Sequence, residues 1–147
     1  MQLPFDRRMF QRLGVVAAAA ALPLNMVGDA WAGERFSYIK GALPGFESTR
    51  WTDDGGTGDT KVEFTSCTAN GGDTPFDSTH VQLFKVIDYW PDKQYGSTRK
   101  FTACKTGTSV GLYPAMSNGD RMYFKISRIN DSTGVIHLDV AKTRVAY

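Results

Sequence analysis

From residue 33 onward, apolar and polar positions alternate in short runs, separated by clusters of Gly, Asp, Asn, Ser and Pro. Such runs, bounded by turn formers, predict strands. They fall at 35–39, at 46–52 around Trp51, at 61–68, at 80–89, at 98–105, at 110–113, at 122–129 and at 135–140, with 144–147 as an extension of the last. Within 61–68, Val62 and Phe64 point one way while Lys61, Glu63 and Thr65 point the other. Within 122–129, Met122, Phe124 and Ile126 share a face. Outside residues 1–32 no segment carries an apolar stripe at i, i+3, i+4 and i+7 sustained over eleven residues, so no amphipathic helix is expected. The pattern predicts an all-β chain: one antiparallel β-sandwich of seven to eight strands over residues 33–147. Segments 41–45, 53–59, 70–78, 91–96, 114–120 and 130–134 read as turns and loops. The strongest hairpin signal joins 122–129 to 135–140 through Asn130-Asp131-Ser132-Thr133-Gly134.

Residues 1–32 break this pattern. Arg7, Arg8 and Arg12 precede an Ala-rich apolar stretch, and Ala30-Trp31-Ala32 supplies the small residues of a cleavage site. This is the layout of a signal peptide. Arg7-Arg8 followed by Met9-Phe10 resembles a twin-arginine signal, although Asp6 stands where a Ser or Thr is usual. The expectation is a bacterial protein secreted by twin-arginine translocation, with the alternative of the general secretory route. The mature, extracellular chain would begin at Gly33, free in solution or held at the cell wall.

Export changes the reading of the two cysteines, Cys67 and Cys104. An even pair outside the cell predicts one disulfide bond. Closing a loop of about 38 residues is worth roughly 3–4 kcal/mol in the chain-entropy picture. Cys67 has the opposite parity to Val62 and Phe64, and Cys104 the opposite parity to Phe101 and Ala103. Strict alternation therefore places the bridge on the outer face or at a sheet end. A bulge near each cysteine would turn it inward instead. Trp90 lies 23 residues after Cys67, too far for the immunoglobulin pattern.

Charge adds an exclusion. The chain carries 17 Lys+Arg against 15 Asp+Glu. The leader takes three Arg and two Asp with it, leaving a nearly neutral body. Such a body has no electrostatic bias toward nucleic acid. No uninterrupted apolar run reaches the roughly 20 residues of a membrane span.

Candidate chemistry is sparse. His80 and His137 are the only histidines. Facing one another, with Lys61 or Lys85 beside a phosphate, they would make the acid–base pair of a small hydrolase. The bland alternative is two unrelated surface histidines. Asp53, Asp54 and Asp59 sit on a glycine-rich segment, Asp53-Asp54-Gly55-Gly56-Thr57-Gly58-Asp59. Hard oxygens on flexible backbone suit calcium, and Asp-rich turns give the same composition with no ion. Trp90 and Tyr95 flank Pro91-Asp92-Lys93-Gln94. Flat rings beside Asp92 and Lys93 suit sugar stacking or a protein anchor, the alternative being rings that cap the end of the sandwich. Trp51 is expected in the core.

Gly45-Phe46-Glu47-Ser48, Trp51-Thr52-Asp53, Val81-Gln82-Leu83-Phe84-Lys85, Pro91-Asp92-Lys93, Tyr95-Gly96, the stretch 101–104, Tyr123-Phe124-Lys125-Ile126 and Val145-Ala146-Tyr147 form a further pattern. With these pieces the chain resembles small exported proteins of actinobacteria. The resemblance implies a secreted β-domain and no activity. The functional expectation is a non-enzymatic extracellular domain that binds a protein or a cell-wall glycan. The alternatives are a secreted hydrolase inhibitor or antagonistic effector presenting loop 70–78 with Pro75, and a small hydrolase using His80 or His137.

Overall fold

The computed structural model describes residues 33–54 and 58–147. Residues 1–32, where the signal peptide with Arg7, Arg8 and the Ala30/Ala32 cleavage site is expected, lie outside the described residues. So do Gly55, Gly56 and Thr57 of the acidic segment.

Eight strands follow in order: β1 (Glu34–Ala42), β2 (Trp51–Thr52), β3 (Thr60–Asn70), β4 (Thr79–Lys85), β5 (Lys93–Phe101), β6 (Thr108–Tyr113), β7 (Arg121–Ile129) and β8 (His137–Ala146). A short 3-10 turn, Ala103–Lys105, joins β5 to β6. The strands form two four-stranded antiparallel sheets, β1-β8-β3-β6 and β2-β7-β4-β5. This is the all-β sandwich the alternation predicts. Phe64 of β3 meets Phe101 edge-on with ring centroids 5.0 Å apart and Phe124 of β7 at 5.4 Å, which locks the two sheets face to face. Val62, Val81, Leu83, Ile126, Ile129 and Leu138 fill the space around them, all fully buried.

The disulfide joins Cys67 to Cys104, with Cα atoms 5.2 Å apart. Its position corrects the outer-face expectation, since both cysteines are buried in the core. In β3, positions 60, 62 and 64 face inward, then the inward set shifts to 67. Ser66, with φ 57, sits at the shift, and its N–H donates to Gly107 O at 3.1 Å. The partner strand slips in step: 138 and 140 face inward in β8, then 143 and 145. Because both strands change parity together, their register is unbroken from Lys61↔Ala146 to Asn70↔His137. Cys104 escapes alternation altogether, because it lies in the 3-10 turn. Its N–H is held by Ser109 Oγ at 2.8 Å.

Two further expectations fail. The 130–134 turn does not close a hairpin, because β7 and β8 belong to different sheets. Asn130 (φ 49) and Asp131 (φ 58) are both left-handed and redirect the chain across the sandwich. Asn130 also takes the N–H of Asp77 on its side-chain oxygen at 2.8 Å and donates to Pro75 O at 3.0 Å, tying this turn to loop 70–78. Among the described residues, β4 and β5 are the one consecutive pair that stays in a sheet. The segment 91–96 is likewise not all loop, since Lys93, Gln94 and Tyr95 pair with Lys85, Phe84 and Leu83.

Candidate functional site

The β4–β5 hairpin carries the aromatic pair singled out above, Trp90 at its tip and Tyr95 within β5. Trp90 is 75% exposed and Tyr89 is 102% exposed. Tyr89 also has φ 67, a left-handed conformation that bulky side chains rarely adopt. The tip is braced from within. Asp92 Oδ1 accepts the N–H of Ile87 at 3.1 Å, and Asp92 Oδ2 accepts the hydroxyl of Tyr123 at 3.0 Å. Asp88 pairs with Arg121. Lys93 is exposed at the start of β5. Tyr95 belongs elsewhere: it is half-buried against the core, and its hydroxyl donates to Ala115 O at 3.4 Å. The expected four-residue surface therefore divides. Trp90 is presented, Asp92 is a brace, Lys93 is solvated and Tyr95 is packing.

Sequence reasoning missed the platform beneath this hairpin. Phe84 and Tyr123 stack on the outer face of the second sheet, with centroids 5.4 Å apart and planes 13° apart. Arg50 lies over the Tyr123 ring at 4.9 Å, and Lys125 over the Phe84 ring at 5.9 Å. Burial, followed by the hydrogen bond to Asp92, pushes the Tyr123 hydroxyl up to about 12. The cross-strand pair Phe84↔Tyr123 joins residues 39 apart in sequence, so no local pattern could have revealed it.

The histidines do not meet. His80 stands at an outer position of β4 and His137 at an outer position of β8, in different sheets. His80 Nε2 lies 2.8 Å from Asp131 Oδ1, whose other oxygen holds Lys100 at 2.7 Å. Lys100, chiefly through its hydrogen bond, keeps the Asp131 carboxyl below the usual carboxylate range. His137 Nδ1 lies 3.2 Å from Gly41 O. Lys85 is engaged by Asp120 at 2.8 Å. The geometry of an acid–base pair is thus not assembled by these two imidazoles.

In the acidic segment, Asp53 is buried, while Asp54 and Asp59 are exposed. The backbone of Asp53 is pinned by Asp120 O and Gly119 N, each at 2.8 Å. Among the described residues no group of three or more His, Cys, Asp or Glu is gathered as a metal site. Loop 70–78 is anchored at one end by buried Phe76 and by the Asn130 clamp, leaving 71–75 exposed.

A cleft of about 330 Å³ opens between the edges of β1 and β2. Phe46, Trp51 and Phe124 supply aromatic walls, and Arg35 to Ile39 of β1 line the other side, with the Phe36 ring beneath Lys142 Nζ at 4.8 Å. Arg35 reaches across to donate to Arg50 O at 2.8 Å and to Thr49 Oγ1 at 3.3 Å. Trp51 is 5% exposed, as its core role predicts, and stacks on Tyr147 at 6.1 Å. Its indole N–H is buried without an acceptor among the described residues.

No family model, curated protein or solved structure matches the chain. Among the described residues, no helix is long and apolar enough to cross a membrane.

Proposed function

We propose that this chain is an exported, non-enzymatic recognition domain that engages an extracellular protein or cell-wall glycan through the tip of the β4–β5 hairpin. One observation carries the reading: Trp90 stands 75% exposed at a tip whose backbone is braced by Asp92. A large ring held in water on a fixed support contributes little to its own fold and is the residue type that dominates binding energy. Tyr89 adds to this. Its left-handed backbone costs the fold about 1–3 kcal/mol, and its fully exposed ring returns no packing.

Trp90→Ala is expected to leave the melting temperature within a few degrees while abolishing retention on purified cell wall or on the captured partner. Strong destabilisation by this substitution, or undiminished retention, refutes the proposal. The export step has its own check. Replacing Arg7 and Arg8 by Lys is expected to stop release of a protein whose mass begins at Gly33.

A second reading, hydrolase inhibition, is supported by the anchoring of loop 70–78. Phe76 and Asn130 hold its C-terminal end while 71–75 stay exposed, as in a loop that an inhibitor presents. Inhibition of a wall hydrolase that Pro75→Ala relieves and Trp90→Ala does not would favour it.

A further inference from the structure

Strand β1 ends its sheet, and among the described residues no strand pairs with its outer side. Gly33 and Tyr147 exchange both backbone hydrogen bonds, at 2.6 and 2.9 Å. In an antiparallel ladder bonded and non-bonded pairs alternate. The register Arg35↔Val145, Phe36↔Arg144, Ser37↔Thr143 therefore makes Phe36 a non-bonded position. Its N–H and C=O point away from β8, toward the open edge. Proteins usually blunt such an edge with Pro, Lys or a bulge. Here the irregularities come only after Ser37, and Phe36 and Tyr38 are 58% and 72% exposed beside the flat part.

The cleft beside this edge lacks partners of one kind. Trp51, fixed by its stack on Tyr147, has a buried N–H that can only donate. Arg35 spends its guanidinium on two neutral oxygens. Arg50 and Arg121 join Arg35, Trp51 and Tyr147 around an adjoining hollow. Arg50 is paired with Glu47 and Asp92, and Arg121 with Asp88, so the groups left for a ligand are the Trp51 N–H and the Arg35 guanidinium, which call for an acceptor and an anion.

We propose that the β1–β2 cleft is a docking site for an extended peptide, which adds as a strand along β1, places an apolar side chain among the cleft's rings and sets a carboxylate against Arg35. The main-chain groups of Phe36 give the peptide its ladder, the cleft selects one side chain, and Arg35 selects the charge. A second copy of this chain is the poorer occupant, because the one carboxylate of its β1 edge, Glu34, is already held by Arg144. This site is separate from the hairpin tip and does not depend on it.

The test is to pan a random linear peptide library on the full chain and titrate the selected peptides, following the tryptophan indole N–H signals by NMR. Selected peptides are expected to pair an apolar residue with an acidic one and to shift the Trp51 indole while leaving that of Trp90 in place. Phe36→Pro removes the edge N–H without removing a β1–β8 bond and is expected to weaken binding about tenfold or more, whereas Phe36→Val keeps the N–H and most of the affinity. Trp90→Ala is expected to bind these peptides normally, which separates this site from the recognition tip. Should Phe36→Pro fail to fold, Ser37→Trp, which fills the cleft mouth from an exposed position, is expected to block the same peptides. A panning that yields no binder, peptides that shift only the Trp90 indole, native affinity in a folded Phe36→Pro or in Ser37→Trp, or displacement of the peptides by a second copy of the chain each overturns the proposal. A soluble wall oligosaccharide that shifts the Trp51 indole in place of any peptide does the same.

Discussion

The two long sides of the sandwich are finished differently. At the β5/β6 side the sheets close on one another. Gly111 lies so near Phe101 that a Cβ there would meet the ring at 2.8 Å, and Gly96, with φ 73, lies against the Pro114 ring at the same distance. Arg99 donates across the seam to Leu112 O at 2.9 Å, and buried Tyr113 donates its hydroxyl to Val81 O at 2.9 Å. The Cys67–Cys104 bridge fastens the β5–β6 connection to β3. At the β1/β2 side, Arg35 spans the gap and a cleft of about 330 Å³ remains. One seam is built to hold, the other to receive. Glycine is what permits the first, since only a missing side chain lets ring and backbone approach so closely.

The largest test of this contrast is to cut one ring on each side. Phe101→Ala should cost about 3–5 kcal/mol in denaturant unfolding, because it empties a fully packed site. Phe36→Ala, at a half-exposed edge position, should stay within about 0.5 kcal/mol. Comparable losses would mean that the two seams bear on the fold alike.

Next in size is the bridge. Replacing both Cys67 and Cys104 by Ala should lower stability by about 2–4 kcal/mol while leaving the far-ultraviolet circular dichroism β-like. Loss of the β spectrum would show that the closed seam exists only through its covalent tie.

Gly111→Ala tests the close approach itself. The added Cβ must displace the buried Phe101 ring, so about 1–3 kcal/mol should be lost. A matching Gly45→Ala comparison is less clean because Gly45 has φ 99 and is strained by any side chain.

The smallest effect belongs to Tyr123, whose neighbour Arg50 borders the open side. Its hydroxyl is raised to about 12, mainly by burial, against an ordinary value of 10.0. The folded state thus holds a proton that the unfolded chain releases earlier. Its stabilising contribution is whole below pH 10 and is lost as pH rises toward 12. Tyr123→Phe should cost about 1 kcal/mol at neutral pH through the lost bond to Asp92. It should also flatten the alkaline fall in melting temperature. An unchanged alkaline limb would assign that fall to Tyr113, which burial also raises.

How far the sequence revealed this molecule depends on how local each feature is. Val62 and Phe64, or Met122, Phe124 and Ile126, announce strands because one face is dry and the other wet. The first half of β5 is invisible to that rule, because an edge strand whose residues are nearly all solvated shows no alternation. Cys67 deceived it, because Ser66 reverses the parity in a residue type that carries no warning. Asn130 and Asp131 correctly signalled a turn, but a turn does not say which sheet comes next. Trp90 was legible as an exposed aromatic between turn formers. The β1–β2 cleft was not, since its walls come from edge strands of different sheets and neither edge is marked in sequence.

The exchange of hydrogen bonds between Gly33 and Tyr147 makes the folded chain almost a ring. Gly33 tolerates no side chain there, since a Cβ would fall 2.3 Å from the Tyr147 ring. Gly33 and Tyr147 therefore lie together at one point of the body, beside Trp51 and the arginine-lined hollow. The order in which the strands are strung together is then nearly arbitrary. A short linker could weld the ends, and the chain could be reopened within the exposed stretch 71–75 with the same two sheets intact. By the same geometry, anything joined at Gly33 or at Tyr147 is delivered to the open seam, far along the chain from the hairpin that carries Trp90.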